Sequence, residues 1–374
     1  MKDADYDLVH TDPGTPGGHY LRLFWQPVYR AQDLPAGRAI PLRIMGEDFT
    51  LYRGASGKAH AVSSRCAHRG TQLSSGWVED DCIRCLYHGW KYDASGQCIE
   101  QPGEDEAFAA KVRIRIYPTE EYLGLTFVYF GDGEVPPLRR FPDFEKPGVL
   151  ETDPPEIWPC NFTNRLDNDP AHVPWTHRES TLRTGQHRRH VEGRESRHYA
   201  RQYFETDYGI ATEKGNRNLI PNVNALKVPV KTIGWDHLWE YRLIFHVPID
   251  DQNSVAFDVN LVTDLMGEEG EQFRQRRRQL QEGDDPAPYQ IAEAILAGKM
   301  TVRDVPASMS LYKQFWIEDY VTQVGQGRIA DRGHEHLGRN DQKIILRRTI
   351  LEREIRALAE HRPLKQWTSS DLYK

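Results

Sequence analysis

From about Phe24 to Phe130, apolar and polar residues alternate in short runs, at 39–42, 49–53, 59–63, 83–86, 114–118 and 123–129. A period of two over runs this short predicts half-buried strands. Gly- and Asp-rich breaks at 53–57, 93–96 and 131–133 predict the tight turns between them. This part of the chain reads as a small all-β domain.

Seven prolines then fall between Pro136 and Pro159, with aromatic residues interleaved, and predict a stiff connector. Beyond it the pattern becomes mixed. Runs at 199–210, 219–230, 235–247 and 254–263 predict strands of an antiparallel sheet, and 268–281 and 341–361 predict helices. The last helix places Ile344, Ile345, Ile350, Leu351, Ile355 and Leu358 on one broad apolar face. The expected organisation is an N-terminal segment 1–23, a β domain 24–135, a linker 136–160 and a mixed domain 161–374. The fold class is α+β, the second domain being an antiparallel sheet flanked by helices, helix-grip-like.

Composition narrows the function. A formal charge of -7 argues against a general nucleic-acid binder. The most apolar stretch, 123–130, is too short to cross a bilayer, and the acidic N-terminus does not resemble a signal peptide. Five cysteines, an odd number in a long chain, do not form a disulfide framework and favour a reducing, cytoplasmic setting.

Two segments carry distinctive chemistry. Cys66-Ala67-His68-Arg69-Gly70 and Cys85-Leu86-Tyr87-His88-Gly89-Trp90 each offer one thiolate and one imidazole on a short loop. Two thiolates on one iron and two imidazoles on the other are the ligand set of an asymmetric [2Fe-2S] cluster. Structural zinc is the competing reading, because Cys82 and Cys85 also make a C-x-x-C pair. That pairing leaves His88 and its Gly-Trp tail without a role.

The pattern Cys-x-His-Arg-Gly, followed after 16 residues by Cys-x-x-His-Gly-Trp, resembles the Rieske domain of bacterial ring-hydroxylating and O-demethylating oxygenases. The resemblance implies that Cys66 and Cys85 ligate the buried iron and that His68 and His88 ligate the outer one.

Residues 161–180, NFTNRLDNDPAHVPWTHRES, contain Asp169, His172 and His177. Two neutral imidazoles plus one carboxylate from elsewhere in the chain form a facial triad for Fe(II). On an ideal helix His172 and His177 stand about 140° apart, so their convergence needs the distortion that Pro174 introduces. Asp169-Pro170 reads as a helix N-cap with Pro at the first helical position.

This stretch is similar to the iron motif of the same oxygenases. By that resemblance Asp169 is not a ligand. It bridges a Rieske histidine to an iron histidine across a subunit boundary, in a head-to-tail homotrimer or dimer of trimers. The third ligand comes from an acid on a late helix, for which Asp319 in Trp316-Ile317-Glu318-Asp319-Tyr320 is chosen, with Glu318 and Asp304 as competitors. Asn164 and Asn168 are candidates for an asparagine that the family carries upstream. The stretch 321–339 is similar to phthalate-type and vanillate-demethylase-like members.

The implied activity is an oxygenase component. It uses O2 and NAD(P)H electrons from a separate flavin/iron-sulfur reductase or a ferredoxin, and it hydroxylates or O-demethylates a small aromatic substrate. Trp175, Phe204, Trp235, Trp239, Tyr241 and Phe245 are candidate pocket walls. The run Arg183, Arg188, Arg189, Arg194, Arg197 and Arg201 is either a carboxylate-capturing patch or a solvated or subunit-contact face. A Rieske electron carrier with a binding domain and a zinc-dependent hydrolase are the alternatives.

Overall fold

The computed structural model describes residues 7–104, 106–168, 176–185, 202–212, 217–230, 235, 237–281 and 287–368. The first lobe is all-β apart from short helical turns. One four-stranded antiparallel sheet runs Ala39–Ile44, Glu47–Arg53, Ala59–Ser63 and Ile116–Tyr117. A second runs Trp77–Glu79, Cys82–Arg84, Lys91–Tyr92 and Cys98–Glu100. Gln26–Arg30, Leu125–Val128 and Thr119–Tyr122 form a third, three-stranded sheet. Tyr52, Val62, Leu73, Ile83, Trp90 and Tyr92 fill the core beneath the cysteine loops.

Residues 7–23 are part of this body. Leu8, Tyr20 and Leu21 are buried, and the Arg22 guanidinium donates to the carbonyls of Thr11, Gly18 and Met45.

The second lobe is built on an eight-stranded antiparallel sheet. Two of its strands, Gly148–Thr152 and Glu156–Trp158, arise inside the proline-rich stretch 136–160 and both pair with Asn253–Thr263. Two of the long runs read as single strands are hairpins. The 199–210 run contains Tyr203–Glu205, which turns at 206–208 and pairs with Gly209–Thr212. The 219–230 run divides between Arg217–Leu219 and Val223–Pro229. Pro221 lies at that turn and has no N–H to continue a ladder.

The helices Gly267–Gln281 and Gln342–Ala359 lie where periodicity places them. Ile344, Ile350, Leu351 and Ile355 are buried, whereas Ile345 faces solvent. The late helix is Leu311–Val324, started by Ser310, whose side chain accepts from Lys313 N–H.

The two faces of the large sheet differ in chemistry. Leu243, Phe245, Phe257, Val259 and Leu261 point one way into the main core, where Phe245 packs edge-on against Phe127 and Phe141. This face joins the two lobes. Glu240, Arg242, His246, Asp258 and Asn260 alternate with those residues and therefore point the other way. Helix Phe162–Leu166 and the late helix cover that polar face. Arg165 lies over the Trp158 ring, and Trp316 and Tyr320 pack edge-on against it.

Candidate metal centres

The two cysteine loops are built on one frame. Arg65 bridges Gln72, and Arg84 pairs with Lys91, so each loop spans the same eight residues. Within each, the Cys N–H donates five residues ahead, Cys66 to the Thr71 carbonyl and Cys85 to the Trp90 carbonyl. The glycine four residues after each Cys donates back to the Cys carbonyl. Gly70 and Gly89 both have φ of 72°, a conformation that closes the loop and penalises any side chain.

Identical frames carry the histidine at different steps, three residues into the first loop (His68) and four into the second (His88). The ring centroids of His68 and His88 lie 4.6 Å apart, and His68 stacks on Trp90 at 4.4 Å.

The sulfur side is buried and the imidazole side is exposed. Cys66 Sγ lies 3.1 Å from the Tyr92 hydroxyl, which accepts from Ala67 N–H at 3.2 Å. Backbone N–H groups of Tyr87 and His88 donate to Cys85, whose thiol also meets Cys66. Burial pushes the Cys85 thiol up, so its thiolate needs a positive partner at the sulfur. Desolvation, aided by His68, holds His88 below the usual imidazole range and keeps it in the neutral, ligating form. Paired buried sulfurs opposite paired exposed imidazoles fit an asymmetric two-iron cluster. Cys82 is the first residue of its strand, in register with Glu79 and at the end away from the loop tip.

In the second lobe, His177 is the residue before helix Arg178–Arg183 and is buried. Its ring stacks on Phe315 of the late helix at 4.1 Å. Nε2 lies 3.6 Å from Asp319 Oδ1, and Nδ1 lies 3.0 Å from Glu318 Oε2. Glu318 and Asp319 are successive residues about 100° apart around their helix, and they meet opposite edges of one imidazole. Asn168 Nδ2 donates to Asp319 Oδ1 at 3.3 Å. Asp304 is engaged elsewhere, accepting from Thr301 at its own short helix.

Asp169 and His172 lie outside the described residues, as do Trp175 and the arginines from Arg188 to Arg201. Among the described residues no three metal-ligating side chains converge.

The segment leading into this site is fastened on all sides. Asn161 donates to the Val9 and Asp251 carbonyls, and Asn164 donates to the Gln323 and Gly327 carbonyls. Asp167 pairs with Arg348 at 2.6 Å and Arg332 at 3.5 Å. Of the two candidate asparagines, Asn168 touches the site and Asn164 anchors the backbone.

The proposed aromatic walls need correction. Tyr241 and Phe245 are on the face of the sheet turned away from His177, and Trp239 and Phe204 are exposed. Trp235 packs on Phe273. Arg183 does not reach into a pocket, since it donates to the Val302 and Val305 carbonyls and to Gln314.

The sheet face that carries Arg242 is polar instead. Arg242 pairs with Asp258, Arg165 with Glu156 at 3.0 Å, and Arg277 with Glu240 at 2.6 Å and Asp153 at 2.9 Å. The side chains of Glu156, Asp258 and Arg242 keep 31%, 17% and 16% exposure. Tyr312 stands two helical turns before Asp319, on the same face of the late helix, and interacts with the charges of Arg242 and Arg277.

An exposed pair of histidine-bearing loops over buried sulfurs is joined to an α+β lobe in which a buried histidine meets two carboxylates. A Rieske [2Fe-2S] domain model matches residues 24–118, which enclose both loops. The oxygenase subunit of 5,5'-dehydrodivanillate O-demethylase from Sphingobium sp. is 31% identical, over 92% of this chain and 78% of that protein. Phenoxybenzoate dioxygenase subunit alpha from Ectopseudomonas oleovorans is 30% identical, over 92% and 85%.

Among solved structures, Pseudomonas putida CBB5 NdmA superposes with a TM-score of 0.66 at 19% identity, covering 95% of this chain and 96% of that one. The terminal oxygenase of carbazole 1,9a-dioxygenase from Nocardioides aromaticivorans IC177 gives 0.63 at 18%, covering 94% and 96%. The chain belongs to the Rieske non-haem iron oxygenases, as an oxygenase component, and is an oxidoreductase. Neither the electron-carrier reading nor the zinc-hydrolase reading draws support from these relatives. No helix among the described residues is long and apolar enough to cross a membrane.

Proposed function

We propose that Cys66 and Cys85 hold the inner iron of the [2Fe-2S] cluster, and that His68 and His88 hold the outer one. His172, His177 and Asp319 hold a mononuclear Fe(II). The observation that carries the second assignment is the approach of Asp319 Oδ1 to within 3.6 Å of His177 Nε2, between residues far apart in sequence. A ferrous centre with two imidazoles and one carboxylate supplies open positions for O2 beside a bound substrate. The protein's own part is to hold His177 and Asp319 in place, to admit substrate along the Arg242-Asp258 wall and to limit water there.

Asp169 accepts hydrogen bonds from His172 and from His88 of a neighbouring subunit, which fixes both rings and calls for a head-to-tail homotrimer or a dimer of trimers. Electrons come from NAD(P)H through a flavin/iron-sulfur reductase or a ferredoxin. Oxygenase-ferredoxin complexes of carbazole 1,9a-dioxygenase, among the similar structures, support such a partner. The setting is cytoplasmic.

The substrate is a small aromatic compound that is hydroxylated or O-demethylated. Relatives named for dehydrodivanillate and phenoxybenzoate support a ring-bearing acid. The charged pair Arg242-Asp258 on the polar sheet face supports a substrate with a hydrogen-bonding group remote from the oxidised carbon.

Iron and labile-sulfide analysis tests the metal assignment. Wild type should contain about three irons and about two sulfides per chain. Asp319→Ala should fall to about two irons with the cluster's visible spectrum intact. Full iron retention by Asp319→Ala moves the ligand elsewhere.

A further inference from the structure

We propose that Glu318 is a positioning residue for the mononuclear centre, a buried carboxylate that grips His177 by Nδ1 and so directs Nε2 toward Asp319. The inference rests on the iron reading above and adds a role for a residue that is not itself a ligand.

The geometry separates the two acids. Glu318 is buried, and its oxygens take three hydrogen bonds within one small knot. Oε2 receives His177 Nδ1–H at 3.0 Å and the Ser180 hydroxyl at 2.6 Å, and Oε1 receives Ser180 N–H at 3.0 Å. All three bonds come from His177 and from the residue three positions after it. Ser180 is buried in the first turn of Arg178–Arg183, where a backbone N–H has no partner inside its own helix. One carboxylate from the late helix therefore ties down the ring, the hydroxyl and the turn that carries them. Phe315, one turn earlier, stacks on the same imidazole and blocks rotation about its plane.

The chemistry follows from donor counting. An ionised carboxylate only accepts. Facing Nδ1, it fixes the proton there and leaves Nε2 as the lone-pair nitrogen on the Asp319 side. A carboxylate behind a ligating histidine also strengthens that histidine as a donor. Glutamine has the same shape but cannot substitute. If its amide group faces Ser180 N–H, two donors collide. If it faces Nδ1, the imidazole must move its proton to Nε2, the metal-facing nitrogen. Only a carboxylate satisfies all three donors and the metal-binding tautomer together.

The test uses cluster-loaded full-length protein with the mononuclear site emptied of iron and titrated with Co(II). Glu318→Gln should bind Co(II) about 10- to 100-fold more weakly than wild type and change the Co(II) EPR signal, with cluster absorbance unchanged. Ser180→Ala, which removes one donor to Glu318, should weaken binding by roughly threefold to tenfold, and it stands in if Glu318→Gln does not fold. Wild-type affinity and an unaltered Co(II) signal in both variants overturn the proposal. Asp319→Ala is the control. If it also leaves Co(II) binding untouched, the iron reading itself is wrong. If it abolishes binding while Glu318→Gln does not weaken it, only the positioning role fails.

Discussion

The Tyr92 hydroxyl lies 3.1 Å from Cys66 Sγ while accepting from Ala67 N–H, so its proton is directed at the sulfur when that sulfur is a thiolate. Tyr92 is fully buried, which leaves the bond little competition from water. A donor to a cluster sulfur favours the reduced, more negative state. Tyr92→Phe removes one hydrogen bond worth about 1 kcal/mol, or roughly 40 mV for a one-electron couple at about 59 mV per tenfold. The midpoint potential should fall by that amount in a spectroscopically followed redox titration. An unchanged potential would place the tyrosine proton elsewhere.

Asp169 offers a separate test because the bridge proposed for it reaches a neighbouring subunit. Asp169→Asn should keep both metal centres, with iron content like wild type, and lose about 10- to 100-fold of coupled product formation. Normal turnover by a metal-replete variant would remove the bridge from the mechanism.

Substrate recognition is expected to depend on Arg242. Truncation to Met leaves Asp258 without this pairing partner, so the useful variant is Arg242→Met combined with Asp258→Asn. A lost hydrogen bond to a charged group costs about 1.5–3 kcal/mol, so KM for a productive substrate should rise about 10- to 100-fold with metal content unchanged. Equal KM values in the double variant and wild type would show that Arg242 does not touch substrate.

Stability carries a pH signature at Glu205. Hydrogen bonds from Arg353, and then Lys365, hold its carboxyl down at about 2. A depressed carboxyl contributes stability above its unfolded pKa, near 4.5, and that contribution is lost as pH falls toward 2. Glu205→Gln should therefore destabilise by about 1 kcal/mol at neutral pH, and the gap to wild type should close on acidification. A gap of constant size between pH 7 and pH 3 in urea melts would assign the loss to packing.

The residues that lie close together in the chain were the legible ones. Each cluster loop is a closed eight-residue hairpin tip, so ligand spacing, glycine placement and the flanking strands are local properties of contiguous sequence. The strands and long helices were readable for the same reason, since periods of two and 3.6 are written along the chain. Where two strands were read as one, the error was a turn of three residues within the run.

Which side of a strand meets the site was not legible. Alternation separates Tyr241 and Phe245 from Glu240 and Arg242, but only the packing of the sheet on the β lobe and on the helices says which set faces His177. Aromatic residues drew the choice, yet Phe245 and Tyr241 belong to the core between the lobes and Trp239 and Phe204 are exposed. Glu318 and Asp319 show the same limit more sharply. As neighbouring acids they are equivalent in a linear pattern, and their different jobs arise because a helix turns about 100° per residue and delivers them to opposite edges of one imidazole. Local patterning thus wrote the ligand loops and the elements into the chain. Long-range folding alone decided which carboxylate meets His177 Nε2, because that depends on contacts between segments whose separation in sequence encodes no direction.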